Sequence, residues 1–231
     1  MIEPLVIAID GPAGAGKSTV AQKLAVRLGL AYVDSGATYR AAALKVLESG
    51  VPLEDEEAII RVVASADIRF VPHQPRPQVL LDGRDVTARI RTAEVTQAAS
   101  RVSRLQAVRT KLIAVQRALL KAPGVVMEGR DIGTVVFPKA PLKIFLKADP
   151  EERARRRVEQ NEQQGRRSNL EDTLSEISSR DQRDAERQAS PLVAAQDAAI
   201  IDSTYLSADE VVERILELAR KKKLPGAQQV S

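Results

Sequence analysis

Eight residues near the start of the chain, Gly11–Ser18 (GPAGAGKS), leave few choices for the structure around them. The spacing G-x-x-x-x-G-K-[ST] works only between a strand and a helix, where its backbone N–H groups can wrap an anion and the helix adds its positive end. Both neighbours are present. Leu5–Asp10 (LVIAID) is a short β-branched apolar run, and Lys17–Leu28 carries helical periodicity with Val20, Leu24 and Leu28 on one face. Gly11, Pro12, Ala13, Gly14, Ala15, Gly16, Lys17, Ser18 and Thr19 therefore form the phosphate cradle of a nucleoside triphosphate. Gly14 and Gly16 come closest to the phosphates, Lys17 reaches the β and γ oxygens, Ser18 ligates Mg²⁺ and Thr19 stands near the α phosphate. An ordinary glycine-rich turn would need neither the lysine nor the hydroxyl.

Strands and helices alternate beyond this loop. Ala31–Val33 is a second strand ending at Asp34, and Thr38–Glu48 is a helix broken by Gly50 and Pro52. A helix over Asp55–Ala66 is followed by Ile68–Val71, a proline-rich turn and Val79–Leu81, which together read as a small antiparallel insert. His73 in that turn is assigned no role. Helices cover Ala93–Val102 and Leu105–Leu120, core strands Val125–Glu128, Leu142–Leu146 and Ala199–Ile201, and a closing helix Ala208–Arg220 turns Val211, Val212, Ile215 and Leu218 inward. The pattern implies a P-loop NTPase-type α/β fold, a parallel sheet flanked by helices. One domain spans residues 1–231: a core at about 1–52, 103–150 and 190–223, an insert at about 53–102, a helical lid at about 151–189 and a frayed tail at 224–231. The lysines at 221–223 read as part of a solvated terminus.

Composition narrows the function. No cysteine is present, which excludes disulfides and thiolate metal sites and favours a reducing, cytoplasmic setting. No apolar stretch approaches the length of a membrane span. The net charge of +4 comes with many arginines between Arg153 and Arg187, an anion-binding bias. Aromatic residues make up 3% and tryptophan is absent, so the stacking surfaces of single-strand nucleic-acid binders are poorly represented and nucleic acid is not the expected partner. With no amphipathic seam left over, a monomer is expected.

The acceptor side lies at the ends of the second and third core strands, in Asp34-Ser35-Gly36-Ala37-Thr38-Tyr39-Arg40 and Glu128-Gly129-Arg130-Asp131-Ile132-Gly133, which flank the switch point of such a sheet. Farther on, Arg180, Asp184 and Arg187 in RDQRDAER are four and three residues apart and share a helix face, the spacing also of a salt-bridged surface helix. Taken in order with the P loop, DSGATYR, EGRDIGTVVFP and RDQRDAER resemble the bacterial cytidylate kinases over most of the chain. That resemblance implies a nucleoside monophosphate kinase transferring the γ-phosphoryl group of ATP, with Mg²⁺, to CMP or dCMP. It implies that Ser35 and Gly36 border the acceptor, and that Arg40 and Arg130 hold its phosphate. Ser100, Arg109 and Asp131 would read cytosine, and Arg180, Asp184 and Arg187 the ribose hydroxyls and phosphate. Lys17, Arg130, Arg153 and Arg157 would serve the transferring phosphoryl group, the last two as lid arginines. Whether Glu128 meets the metal or only supports its loop stays open at this point. Other P-loop kinases of small molecules, and a nucleotide switch or nucleic-acid-stimulated ATPase, are the rival readings.

Overall fold

The computed structural model describes residues 4–73, 76–163, 165, 167–187 and 189–228. At its centre β1 (Leu5–Asp10) is buried at all six positions, as expected of a strand covered on both faces. It pairs in parallel with β6 (Gly124–Gly129) on one side and β7 (Leu142–Lys147) on the other, while β2 (Ala31–Asp34) extends β6 and β8 (Ala199–Asp202) extends β7. The sheet order is β2-β6-β1-β7-β8. Parallel neighbours cannot be joined by tight hairpins, so the chain crosses over through helices that cover both faces. Ile7, Ile9, Val126 and Ile144 point to one face, against α1 (Lys17–Leu28) and α8 (Ala208–Lys221). Val6, Ala8, Val125 and Met127 point to the other, against Ile113 of α5 (Gln106–Ala118) and Ile132.

On α8 the buried residues are Val211, Val212, Ile215, Leu216 and Ala219, and Leu218 is only half-buried. Positions 212, 215, 216 and 219 fall on the i, i+3, i+4, i+7 stripe, which leaves Leu218 at its border. Each large side chain on that stripe contributes about 1.5–3 kcal/mol by leaving water. The helix starts at a capping box between Ser207 and Glu210.

The insert shares an apolar cluster with α2 (Gly36–Glu48) and α5 of the core. It contains α3 (Glu56–Ala64), α4 (Ala93–Val102) and a three-stranded antiparallel sheet of β3 (Ile68–Val71), β4 (Gln78–Leu81) and β5 (Arg84–Asp85). Ala41, Ala42, Ile59, Leu81, Ile90 and Leu112 pack at the centre of this cluster. His73, two residues after β3, is exposed. The segment after β7 is a pair of packed helices, α6 (Pro150–Gln163) and α7 (Leu170–Glu186), and Asn169 caps the second by accepting the Asp172 N–H at 2.7 Å.

The frayed tail expected from residue 224 is not what residues 224–228 form. Leu224 N–H donates to Ala219 O at 3.0 Å, and Ala227 is fully buried in the α1–α8 cluster. A small side chain that fills a space beside the sheet explains why this segment folds back in spite of Pro225 and Gly226. Residues 229–231 of that expectation lie outside the described residues.

Candidate active site

The site is built at the carboxyl ends of β1, β2 and β6. After Asp10 the chain turns sharply at Gly11, whose φ is +146°. A Cβ there would lie 2.0 Å from the Leu146 carbonyl oxygen of β7, so only glycine lets the loop leave between two paired strands. Gly14, with φ +78°, presses on Arg153 of α6, where an added Cβ would meet the Arg153 Cβ at 2.9 Å. The loop thus rests on the sheet below and on α6 above. Gly16, in the left-handed region, precedes α1, and Lys17 and Ser18 open that helix.

Lys17 is buried, and its Nζ donates to Pro12 O at 2.6 Å. Burial pushes its pKa down to about 7, with Arg130 and Arg180 acting in the same direction and Glu128 and Asp10 opposing. Arg180 is likewise held down, to about 10, by burial first and then by Arg130, Arg40 and Arg157. Like charges therefore gather around Lys17 and Arg180, while Asp184, Asp181 and Glu128 hold the Arg130 guanidinium in its charged form. Such crowding of cations is unfavourable unless an anion occupies the space.

Each acceptor-side residue has a definite place. Arg40 Nη2 donates to Asp34 Oδ2 at 2.6 Å, and Asp34 Oδ1 accepts from Ala37 N–H at 3.2 Å. Burial would raise the Asp34 carboxyl, but Arg40, Arg91 and the Ala37 N–H together hold it below its usual range. Gly36 begins α2 beside this pair, and Ser35 is buried, its N–H bonded to Glu128 O at 3.1 Å. Arg130 Nε donates to Asp184 Oδ2 of α7 at 2.8 Å, and Asp184 also faces Arg187 at 3.7 Å.

Arg109 and Asp131 form a buried ion pair. The same guanidinium donates from Nη1 to Ser103 O at 3.1 Å and from Nε to Ser190 Oγ at 3.2 Å, and it stacks 5.2 Å from the centre of the Tyr39 ring. Arg187 lies next to it, its Nη2 buried and, among the described residues, without a hydrogen-bond partner. Ser100 is half-buried on α4, and among the described residues no hydrogen bond joins it to the Arg109–Asp131 pair.

The two arginines expected to act from a lid differ. Arg153 is buried: it donates to Ala148 O from Nε and to Ala13 O from Nη1, at 3.0 Å each, and pairs with Asp181 of α7. In this arrangement it ties the P loop to α6 and α7. Arg157 bonds Gln160 at 2.8 Å and is close enough to Arg180 to influence it.

Glu128 sits at the end of β6, buried, with Tyr32 donating its phenolic O–H to Oε1 at 2.6 Å. Burial first, then Asp34, raises its pKa, while Lys17, the Ser18 hydroxyl and Tyr32 favour its charged form. Sequence reasoning missed four side chains that shape this region. Tyr32 buttresses Glu128, Tyr39 stacks on Arg109, and Arg156 donates to Ser203 O and Thr204 O at 2.7 and 3.1 Å beside Gly16. Asp10, the fourth, accepts Ile132 N–H at 2.8 Å and Gly133 N–H at 2.7 Å, and burial pushes its carboxyl up to about 6. A signal for Asp10 exists in the sequence: it is the single acid at the end of an otherwise apolar strand.

A glycine loop ending in lysine and serine, set between the central strand and first helix of a parallel sheet and faced by an arginine-rich cleft, defines a P-loop phosphotransferase. The gluconokinase of Sinorhizobium meliloti 1021 has this fold at a TM-score of 0.50, with 16% identity and 96% of each chain covered. The family model described as Cytidylate kinase matches residues 7–221. The cytidylate kinase of Saccharophagus degradans is 49% identical over 221 residues, 95% of this chain and 99% of that one. The cytidylate kinase of Azotobacter vinelandii is 49% identical over 228 residues, 97% of this chain and 99% of the relative. The chain belongs to the cytidylate kinase family. Among the described residues no helix is long and apolar enough to cross a membrane.

Proposed function

We propose that the cleft holds ATP on the P loop and a cytidine monophosphate between α2, α5, α7 and the Arg130–Asp131 loop, in line for transfer. As a cytidylate kinase the chain moves the γ-phosphoryl group of ATP to CMP or dCMP, giving ADP and CDP or dCDP. The observation that carries the assignment is the gathering of Arg130 and Arg180 about Lys17, with Arg40 and Arg157 beside Arg180, a set of cations that a pair of apposed phosphate groups would satisfy.

An oxygen of the acceptor phosphate attacks the γ phosphorus while the bond from that phosphorus to the β–γ bridging oxygen breaks, and ADP carries away the electron pair. The acceptor is already an oxyanion, so no general base is required and the protein's task is alignment and charge neutralisation. Lys17 meets the β and γ oxygens once it exchanges Pro12 O for phosphate. Arg40 and Arg130 hold the acceptor phosphate, and Arg180, Asp184 and Arg187 hold its ribose side. Asp131 accepts from the cytosine amino group and Arg109 donates to the base carbonyl and ring nitrogen, with Ser100 at the rim. Uracil lacks the amino donor. The hard oxygens of Ser18 and Glu128 suit Mg²⁺, and those two residues would hold it with the nucleotide. When bound, the cation neutralises charge on the β and γ phosphates.

The test is ADP formation from ATP and Mg²⁺ with CMP, dCMP, UMP, AMP, GMP or no acceptor, with Lys17→Ala as the blank. Rapid turnover with CMP and dCMP alone supports the reading. A rate indifferent to the acceptor would sink it.

A further inference from the structure

The residues assigned to the acceptor, Arg130 and Asp131, lead directly into a single π-helical turn, Ile132–Val136. The turn is closed by Asp131 O, which accepts from Val135 N–H at 2.8 Å and Val136 N–H at 3.1 Å. It is also pinned from outside at both ends. At its start the two oxygens of the buried Asp10 carboxylate each take one amide, those of Ile132 and Gly133. At its far end Arg117 of α5 donates to Val135 O at 2.8 Å and Val136 O at 2.9 Å. An anion on the free N–H groups and a cation on the free carbonyls match the peptide dipole of the turn.

Asp10 also precedes Gly11, so the carboxylate that grips the acceptor loop belongs to the last residue before the donor loop. Burying a carboxylate is unfavourable, and β1 has an apolar residue at every other position. An isosteric amide could not do the same work. It has one acceptor oxygen, and its NH₂ would face one of the two amide N–H groups.

We propose that Asp10 is a positioning residue for acceptor specificity: it fixes Arg130 and Asp131 relative to the P loop, and so sets the preference for cytosine over uracil. The proposal rests on the reading of Asp131 as a cytosine contact. Arg117 serves the same turn from the opposite end and gives an independent handle.

The experiment is steady-state kinetics of Asp10→Asn and Arg117→Met with CMP, UMP and ATP varied in turn, beside Asp131→Asn as reference. Circular dichroism and thermal unfolding check that each variant folds. Asp10→Asn should raise KM for CMP about tenfold and reduce the CMP-over-UMP ratio of kcat/KM about fivefold or more, with KM for ATP within about twofold. Arg117→Met should move the same two quantities in the same direction by less. A general loss of structure would instead raise both KM values together, and that result, or an unchanged CMP-over-UMP ratio in a folded Asp10→Asn protein, overturns the proposal. Should Asp10→Asn fail to fold, Arg117→Met decides by the same criteria. If Asp131→Asn itself leaves the ratio unchanged, the reading of Asp131 fails and the KM split decides whether Asp10 positions Arg130. If Asp131→Asn collapses the ratio and Asp10→Asn does not, the inference about Asp10 alone fails.

Discussion

Replacing Arg109 by methionine removes a guanidinium that is 1% exposed from a carboxylate, Asp131, that is 5% exposed. Methionine fills most of the volume, so the main loss is charge compensation. Breaking a buried pair by deleting one partner costs about 3–5 kcal/mol, because the other charge stays where water cannot reach it. The donors to Ser103 O and Ser190 Oγ and the stacking on Tyr39 disappear as well, which puts Arg109→Met at the upper end of that range. For a chain of 231 residues each kcal/mol lowers Tm by about 2–4 °C, so the expected fall is about 10–20 °C. Asp131→Asn in the Arg109→Met background removes the stranded charge and should restore about 2 kcal/mol relative to the sum of the single substitutions. Urea unfolding of the four proteins at pH 7, without nucleotide, closes the cycle. A coupling energy below about 0.5 kcal/mol, or a Tm within about 2 °C of the parent for Arg109→Met, would refute the reasoning. ATP-analogue binding measured on the same proteins should stay within about threefold, since the P-loop contacts run through Lys17 and not through this pair.

Gly11→Ala should weaken ATP binding at least about tenfold by calorimetry, because its Cβ would lie 2.0 Å from Leu146 O and the loop must shift to make room; affinity within twofold of the parent contradicts this. Asp10 has a carboxyl pKa raised to about 6 from 3.8, so the native state binds more protons than the unfolded one between those values. Its contribution to stability is therefore complete below about pH 4 and is lost as pH rises to about 6. The stability difference between parent and Asp10→Asn should follow that slope in urea titrations and level off above pH 6, and a slope of the opposite sign would exclude the assignment. Tyr32→Phe removes the phenolic donor to Glu128 and should shift the acidic limb of the kcat/KM profile to higher pH while weakening Mn²⁺–ATP binding seen by electron paramagnetic resonance; an unmoved limb with unchanged Mn²⁺ binding would show that Tyr32 only packs.

Why some of this architecture could be read from the chain and some could not follows from the range of the interactions involved. The strand, glycine loop and helix at residues 5–28 are specified by neighbours in sequence, through hydrophobic period and backbone chirality, and they occur as expected. On α8 the expected inward residues Val211, Val212 and Ile215 are buried and Leu218 packs at the border of the cluster, while the deeper Leu216 is not singled out by the periodicity because a helical stripe is wide enough for either until the facing strands choose. Asp10, Tyr32 and Tyr39 were passed over for a different reason. Their partners lie at Ile132 and Gly133, at Glu128 and at Arg109, and contacts between segments so far apart in the chain leave no periodic pattern in sequence. Arg153 shows the converse. Its place in an arginine-rich helix suggests a mobile cation, yet the close approach of Gly14 to α6 puts it within reach of Ala13 O and leaves Asp181 to neutralise it. A charged residue in such a lid contributes by bonding the loop beneath it as well as by facing phosphate, and only the packing decides which. The same logic makes Asp10 informative, since an acid kept at the end of an apolar strand must be compensated by donors from another segment, and here those donors belong to the loop that carries Arg130 and Asp131.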